Sequence, residues 1–287
     1  MSDALPALER VYGVDFSGAR AAGRTTWVAC TRLRRRRSQP LRLEWVESLE
    51  RLSGTAERDG ALRHLVGMVR DSSAALWAVD APFGLPVEIL DEGMSWRDVL
   101  RFVEQWEADS YDLGLWALDR ARDAQGVMHI RRETDHHAKA PFDPYHYRII
   151  YQTFHAMRDV AGPLSRVRET AVLPFQYARL ARAARVVVET CPSSTLKRLG
   201  LPHQNYKQPA GGALTRRRVR TRSAILRGLA PHVEIAPADR RRIARDPGGD
   251  ALDAVIAAVG AAWAWSKLDH RSIARSPRIR REGYLYF

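Results

Sequence analysis

The sequence predicts a mixed α/β fold: a sheet that starts as an antiparallel three-strand meander, continues with parallel strands, and is flanked by helices. Three observations carry this. Residues 11–16, 25–31 and 41–47 are short runs of strand-forming residues separated by turn signals, Gly18 and Gly23 after the first and Ser38-Gln39-Pro40 after the second. Residues 74–80 and 185–189 are nearly unbroken apolar runs, the pattern of central strands covered on both faces. Between the third and fourth runs lies a helical pattern, so the fourth strand returns by a crossover and runs parallel to its neighbour.

In chain order, Leu62, Leu65, Val66 and Val69 share one face of a helix over residues 55–70. Ser53 or Thr55 is placed to cap it, with Glu57 and Asp59 favouring its start. Residues 96–106, 113–124, 147–157 and 176–184 have helical patterns, and residues 126–144 are polar. About 88–180 is therefore expected to be a largely helical insertion in a single domain spanning 1–287. Residues 192–200 form a short helix stopped by Gly200. Residues 214–229 form a basic helix, and residues 250–265 an Ala-rich helix that is apolar on almost every face, as expected of one buried against a sheet. The tail, residues 282–287, reads as apolar and is expected to dock on the domain.

The chain has 287 residues and a net charge of +13. That charge points to a polyanionic partner, nucleic acid first. Of its 46 Lys and Arg, only Lys139, Lys197, Lys207 and Lys267 are lysines. An arginine bias of that kind also fits genome composition and a solvated face. No run approaches the about 18 apolar residues that span a bilayer, and residues 1–10 hold Asp3 and Glu9 without a signal-peptide core. A cytoplasmic protein with no membrane partner is expected. Cys30 and Cys191 are too few for a disulfide framework or a zinc knuckle.

The candidate chemistry lies in acids at the ends of apolar runs. Val11-Tyr12-Gly13-Val14 ends on Asp15, Leu76-Trp77-Ala78-Val79 on Asp80, and Val186-Val187-Val188 on Glu189, each followed by Gly or Pro turns. Asp250 and Asp253 open the Ala-rich helix at i and i+3, on one face, behind Gly248-Gly249. A buried carboxylate must be solvated, paired or metal-bound. In open α/β sheets sites form beyond the carboxyl ends of the parallel strands, where these acids would meet. Hard oxygen donors without Cys or patterned His favour Mg²⁺ or Mn²⁺. Local duty as helix caps and first-turn acids is the alternative for Asp250 and Asp253. Asp135-His136-His137 is a weaker metal candidate, because adjacent side chains diverge. Ser17 lacks a G-x-S-x-G elbow, and no nucleotide-binding glycine fingerprint is present.

Gly13-Val14-Asp15-Phe16-Ser17-Gly18, Val79-Asp80-Ala81-Pro82-Phe83-Gly84, Val188-Glu189-Thr190-Cys191-Pro192, Leu199-Gly200-Leu201-Pro202 with Tyr206-Lys207, Asp250-Ala251-Leu252-Asp253 and Glu282-Gly283 occur in this order. Together they resemble the DUF429 family, whose members are described as predicted nucleases of RNase H-like fold. The resemblance implies an RNase H-like mixed sheet and a metal-dependent nuclease acting on DNA or RNA. It implies Asp15, Asp80, Glu189 and Asp253 as catalytic acids, these four with Asp250 as ligands of Mg²⁺ or Mn²⁺, and Asp15 as the bridging ligand. Ser17, Lys207, Arg131 and Arg132 are the candidates for holding substrate. Two alternatives remain: an actin-like or sugar-kinase-type ATPase or phosphotransferase on the same core, for which the second phosphate loop is missing, and a non-catalytic nucleic-acid-binding protein.

Overall fold

A computed structural model of the chain describes residues 5–34, 39–208 and 212–287. The turn expected around the arginine run at Arg35, Arg36 and Arg37 lies outside the described residues. One sheet organises the rest. Its strands are β1 (Arg10–Asp15), β2 (Trp27–Arg32), β3 (Leu41–Ser48), β4 (Ala75–Val79), β5 (Thr170–Val172), β6 (Arg185–Glu189) and β7 (Val233–Glu234), in the spatial order β5-β6-β4-β1-β2-β3-β7. β1, β2 and β3 form the antiparallel meander. β4 is parallel to β1, β6 to β4, and β5 to β6. This is the order expected of an RNase H-like sheet, with β5 and β7 added at its edges.

Period-two alternation decides which residues face which layer. Val14, Val28, Trp77, Val79, Val172 and Val187 face the core formed with the helix Arg58–Asp71 and the helices between β4 and β5. Val11, Leu76, Ala78, Ala171, Val186 and Val188 face the opposite core, which contains Ala258, Ala261 and Ala264 of the helix Asp250–Lys267. Both faces of β4 and β6 are therefore covered, which explains their unbroken apolar runs.

Four details differ from the expectation. The helix Arg58–Asp71 is capped not by Ser53 or Thr55 but by Glu57, whose carboxylate accepts from the Asp59 and Gly60 amides at 2.8 Å each. A longer side chain reaches the same orphan donors that a Ser would satisfy. A short helix, Leu49–Ser53, occupies the segment between β3 and that helix. Residues 88–180 contain β5, which is only three residues long and too short to show a period. The polar stretch 126–144 contains the helix Glu133–Ala138, whose Asp135 is buried.

The helix Asp250–Lys267 packs on β1 so closely that backbone meets backbone. A Cβ on Gly13 would overlap the Ala254 carbonyl oxygen and stand 2.5 Å from the Ala258 nitrogen. On the helix's other side, a Cβ on Gly260 would stand 3.1 Å from Thr195 Cγ2 in the helix Pro192–Arg198. Gly13→Ala is therefore expected to destabilise the protein by at least about 1–3 kcal/mol, since main chain cannot yield as a side chain can. Gly67→Ala, in the helix Arg58–Asp71 with open space at its Cβ, should instead stabilise by about 0.5–1 kcal/mol. Urea unfolding of the two variants measures both signs.

Candidate functional site

The sheet brings the strand-end acids together by register. Val14 pairs with Val79 across β1 and β4, so Asp15 and Asp80 leave neighbouring strands side by side. Glu189 stands beside Val79 on the far side of β4. The helix Asp250–Lys267 delivers Asp250 and Asp253 from its first turn, its N-cap Gly249 having φ +84°. A Cβ at Gly249 would lie 3.2 Å from both Lys207 Cγ and Arg222 Nη2, so this glycine also lets the Lys207 segment close over the helix start.

Lys207 sits at the centre of the acids. Its Nζ is 2.5 Å from Asp253 Oδ2, 3.7 Å from Asp250 Oδ1 and 3.8 Å from Asp15 Oδ1. Tyr206 donates its hydroxyl to Asp253 Oδ1 at 2.9 Å. The backbone that carries this pair is held by Arg222, a residue of the helix Arg216–Gly228. Arg222 is buried and donates to the carbonyls of Tyr206 (2.5 Å), Ala244 (3.2 Å), Pro247 (2.8 Å) and Asp246. An arginine of the basic helix, expected on a solvated face, thus ties the Lys207 loop to the segment leading into Asp250.

The charges do not balance. Burial pushes the Asp15 carboxyl well above the usual carboxylate range; Lys207 opposes this, while Asp253, Asp250 and Asp80 add to it. Burial and Asp253 push Asp80 up to about 8. Asp250 is raised by burial, partly offset by Lys207 and by a hydrogen bond with Asp15. Burial lowers Lys207, but Asp15 and Asp253 outweigh it and hold the ammonium charged. One ammonium faces four acids, and Asp253 raises the other three.

Glu189 belongs to a second arrangement beside the first. Both its oxygens accept from the buried Arg132, one from Nη1 at 2.9 Å and the other from Nη2, and Oε2 also accepts the Phe83 amide at 3.1 Å. Arg132 further donates to Asp135 through Nε and Nη2 at 3.0 and 2.8 Å and to the Glu282 carbonyl at 3.1 Å. All five guanidinium donors are spent inside the protein. The chain's tail closes this side: Tyr286 donates its amide to the Glu189 carbonyl at 2.9 Å, and Thr190 Oγ1 donates to the Tyr286 carbonyl at 2.8 Å. Arg131 is not brought to the acids. Its Nη2 donates to the Pro141 carbonyl, and it lines a separate pocket with His129, His136 and His146. Asp135 is committed to Arg132, so Asp135-His136-His137 forms no common site. Ser17 lies beside Asp15, where its amide donates to Thr26 Oγ1 and its hydroxyl oxygen accepts the Ala19 amide, a local turn.

Two cavities open on the acids. A deep one of about 330 Å³ is lined by Asp15, Asp80, Asp253, Lys207, Glu189 and Cys191. Burial and the nearby Asp80 push the Cys191 thiol up to about 12, so it is no thiolate nucleophile at neutral pH. A wider one of about 850 Å³ shares Asp15, Gln152 and Lys207 with it and adds Arg20, Arg58 and Arg148.

The single mixed sheet and its flanking helices define an α/β protein, consistent with an RNase H-like fold, with a carboxylate cluster around one lysine at the carboxyl edge of the parallel strands. The family model of DUF429, a protein of unknown function, matches residues 13–277, and the chain belongs to that family. No curated protein and no solved structure matches the chain. Among the described residues, no helix is long and apolar enough to cross a membrane.

Residues to which sequence reasoning gave no role are Arg222 and Tyr206, which set the Lys207 ammonium. Asp135, read there as a weak metal candidate, instead shares Arg132 with Glu189. Replacing Arg132 by Met should cost about 3–5 kcal/mol, because Glu189 and Asp135 would remain buried without their partner. Asp80→Asn should stabilise the metal-free protein by about 0.5–2 kcal/mol by relieving the crowding. Urea denaturation in chelator reads both.

Proposed function

We propose that the acid cluster is the centre of a Mg²⁺- or Mn²⁺-dependent nuclease, a cytoplasmic hydrolase of phosphodiester bonds in DNA or RNA. The observation that carries this reading is the convergence of Asp15, Asp250 and Asp253 on one ammonium, with Asp80 beside them and too little positive charge for the set. Their donors are hard oxygens, the kind that hold divalent cations. Among the described residues no three His, Cys, Asp or Glu side chains are arranged to hold a metal ion as they stand; the carboxylates are arranged around Lys207. In donor chemistry and in charge the set suits a cation, which Asp15, Asp80, Asp250 and Asp253 would hold once the half-exposed Lys207 side chain gives way. Glu189 stays with Arg132 and supports the cavity wall.

A bound divalent cation would lower the pKa of an attacking water and offset charge on the phosphate. The chain's own residues do the remainder. Asp15, fixed at the end of β1, sets the position against which the scissile phosphate is aligned. Lys207 is close enough to the acids to move its ammonium onto a phosphate oxygen as a charge-assisted donor. Ser17, at the mouth of the wider cavity, offers its hydroxyl proton to a second oxygen. The short distances around Lys207 weigh against the non-catalytic reading, which needs the acids apart. The ATPase reading gains no support, since the turn after Asp15 is closed by its own Ser17 and Thr26 contacts.

Cleavage of labelled single-stranded and duplex DNA and RNA should require Mg²⁺ or Mn²⁺ and stop in EDTA. Asp15→Asn should lower the rate by at least about 100-fold, an amount typical of removing one group that stabilises transition-state charge, with its unfolding midpoint unchanged or raised. Undiminished cleavage by a folded Asp15→Asn protein sinks the assignment.

A further inference from the structure

We infer that the wider cleft binds single-stranded nucleic acid, its unpaired bases stacked on an aromatic wall and its phosphates held by arginines. The inference deepens the nuclease reading and rests on it for the fate of the bound strand.

The cleft runs directly to the acids, because Asp15, Gln152 and Lys207 line both cavities. One side carries Arg20 and Arg58, the other Arg148 and Tyr151. Arg20 and Arg148 are exposed and, among the described residues, neither pairs with a carboxylate. Such guanidiniums suit phosphate, which they can grip through paired donors.

The open aromatic side chain of the cleft lining is Tyr151, 42% exposed. Tyr147, 64% exposed, lies just outside the lining, next to the cleft residue Arg148. Beside Tyr147, Phe142 stacks on His146 with ring centroids 4.4 Å apart, and His146 lies 4.5 Å from Tyr147. The Arg148 guanidinium lies 5.8 Å from the Tyr147 ring and 5.7 Å from Phe142, and its Nε donates to the Tyr147 hydroxyl at 3.2 Å. The wall is also rigidly placed. Gln152 donates to the Phe16 carbonyl at 2.6 Å and to the Asp80 carbonyl at 3.4 Å, which pins the helix Ile150–His155 to the exits of β1 and β4. A Cβ on Gly18 would stand 2.9 Å from the Gln152 nitrogen and overlap the Tyr151 carbonyl, so turn and wall touch through backbone.

Exposed rings flanked by guanidiniums that hold no carboxylate are the equipment of single-strand binding: bases stack, phosphates pair, and no sequence is read. A duplex keeps its base faces covered by one another, so it gains from the arginines alone. The wall therefore selects unpaired strands before chemistry.

The test is fluorescence anisotropy on the full chain in EDTA, with a labelled thymidine oligonucleotide of about 20 residues and a duplex of the same length. The single strand should bind at least about tenfold more tightly than the duplex. Tyr151→Ala should weaken single-strand binding about tenfold, as expected for one lost base stack, leave duplex binding unchanged, and be rescued by Tyr151→Phe. Tyr147→Ala, on an exposed side chain whose loss does not threaten folding, should act in the same direction. Arg148→Ala should weaken both ligands and flatten the salt dependence. Equal or tighter duplex binding, no binding of either ligand, or single-strand affinity unmoved in both tyrosine variants overturns the inference. Because nothing is cleaved in EDTA, failure of the metal-site reading leaves these affinities standing, and loss of strand preference leaves metal-dependent cleavage intact.

Discussion

The site depends on one close approach, that of the helix Asp250–Lys267 to β1. Gly13 puts no side chain between them at the point of contact, and the Ala254 carbonyl occupies the space. Asp15 is two residues after Gly13, on the same face of the strand. Asp253 is one residue before Ala254, in the first turn of the helix. The approach that brings Gly13 to Ala254 therefore also brings Asp15 to Asp253. A larger residue at either contact would lift the helix and pull the carboxylates apart while leaving sheet topology untouched. The Ala-rich composition of the helix follows from the same constraint, since it is gripped on its other side at Gly260 and Thr195.

Crowding acids this way is unfavourable, and two buried arginines limit the consequences in different ways. Arg132 neutralises: it takes Glu189 and Asp135 out of the balance with all its donors. Arg222 positions: it binds only carbonyls, fixing the backbone of Tyr206 so that Lys207 reaches three acids. Neither compensates Asp15 and Asp80, whose carboxyls stay well above their ordinary range. The imbalance is thus confined to the acids around Lys207, while Glu189, which lines the same deep cavity, has both oxygens on Arg132. Stability has been secured around the cluster and withheld from it, the usual distribution at a functional site.

Much of this was legible because burial writes itself into apolar runs. β1 and β6 end on Asp15 and Glu189 as the runs predict, β4 ends one residue before Asp80, and Asp250 with Asp253 were readable as an i, i+3 pair on a helix apolar all round. What was not legible are the polar groups that sit inside. Arg132 and Asp135 fall in a stretch whose polarity describes a loop, yet each hides the other's charge, so composition gives the wrong sign for burial. Arg222 is one of six arginines in its helix, and no local pattern separates the one facing inward from those facing water. Glu189 shows the limit from the other side: its strand-end position was right, but whether an acid faces a cavity or an arginine depends on residues 57 positions away. Lys207 was named only through the resemblance, because one lysine in a loop carries no spacing of its own.

The distribution of charge between the two cavities connects fold to proposed chemistry. A phosphate chain is attracted by the arginine-lined cleft more than by the acidic floor it leads to. On that floor four acids surround one ammonium, and burial holds Asp15 and Asp80 toward their neutral forms, so the floor offers a phosphate at the rim little net attraction. Added positive charge at the floor favours that last step, since the same acids that draw phosphate little attract a cation. Under the nuclease reading, binding and cleavage therefore have different electrostatic requirements: the rim suffices for the first, and the second waits on the floor. The Gln152 side chain, hydrogen-bonded to the backbone at the exits of both β1 and β4, keeps the two regions at a fixed offset. Under the inferred single-strand binding, a strand gripped by the wall would present its backbone to Asp15 without any further movement of the sheet.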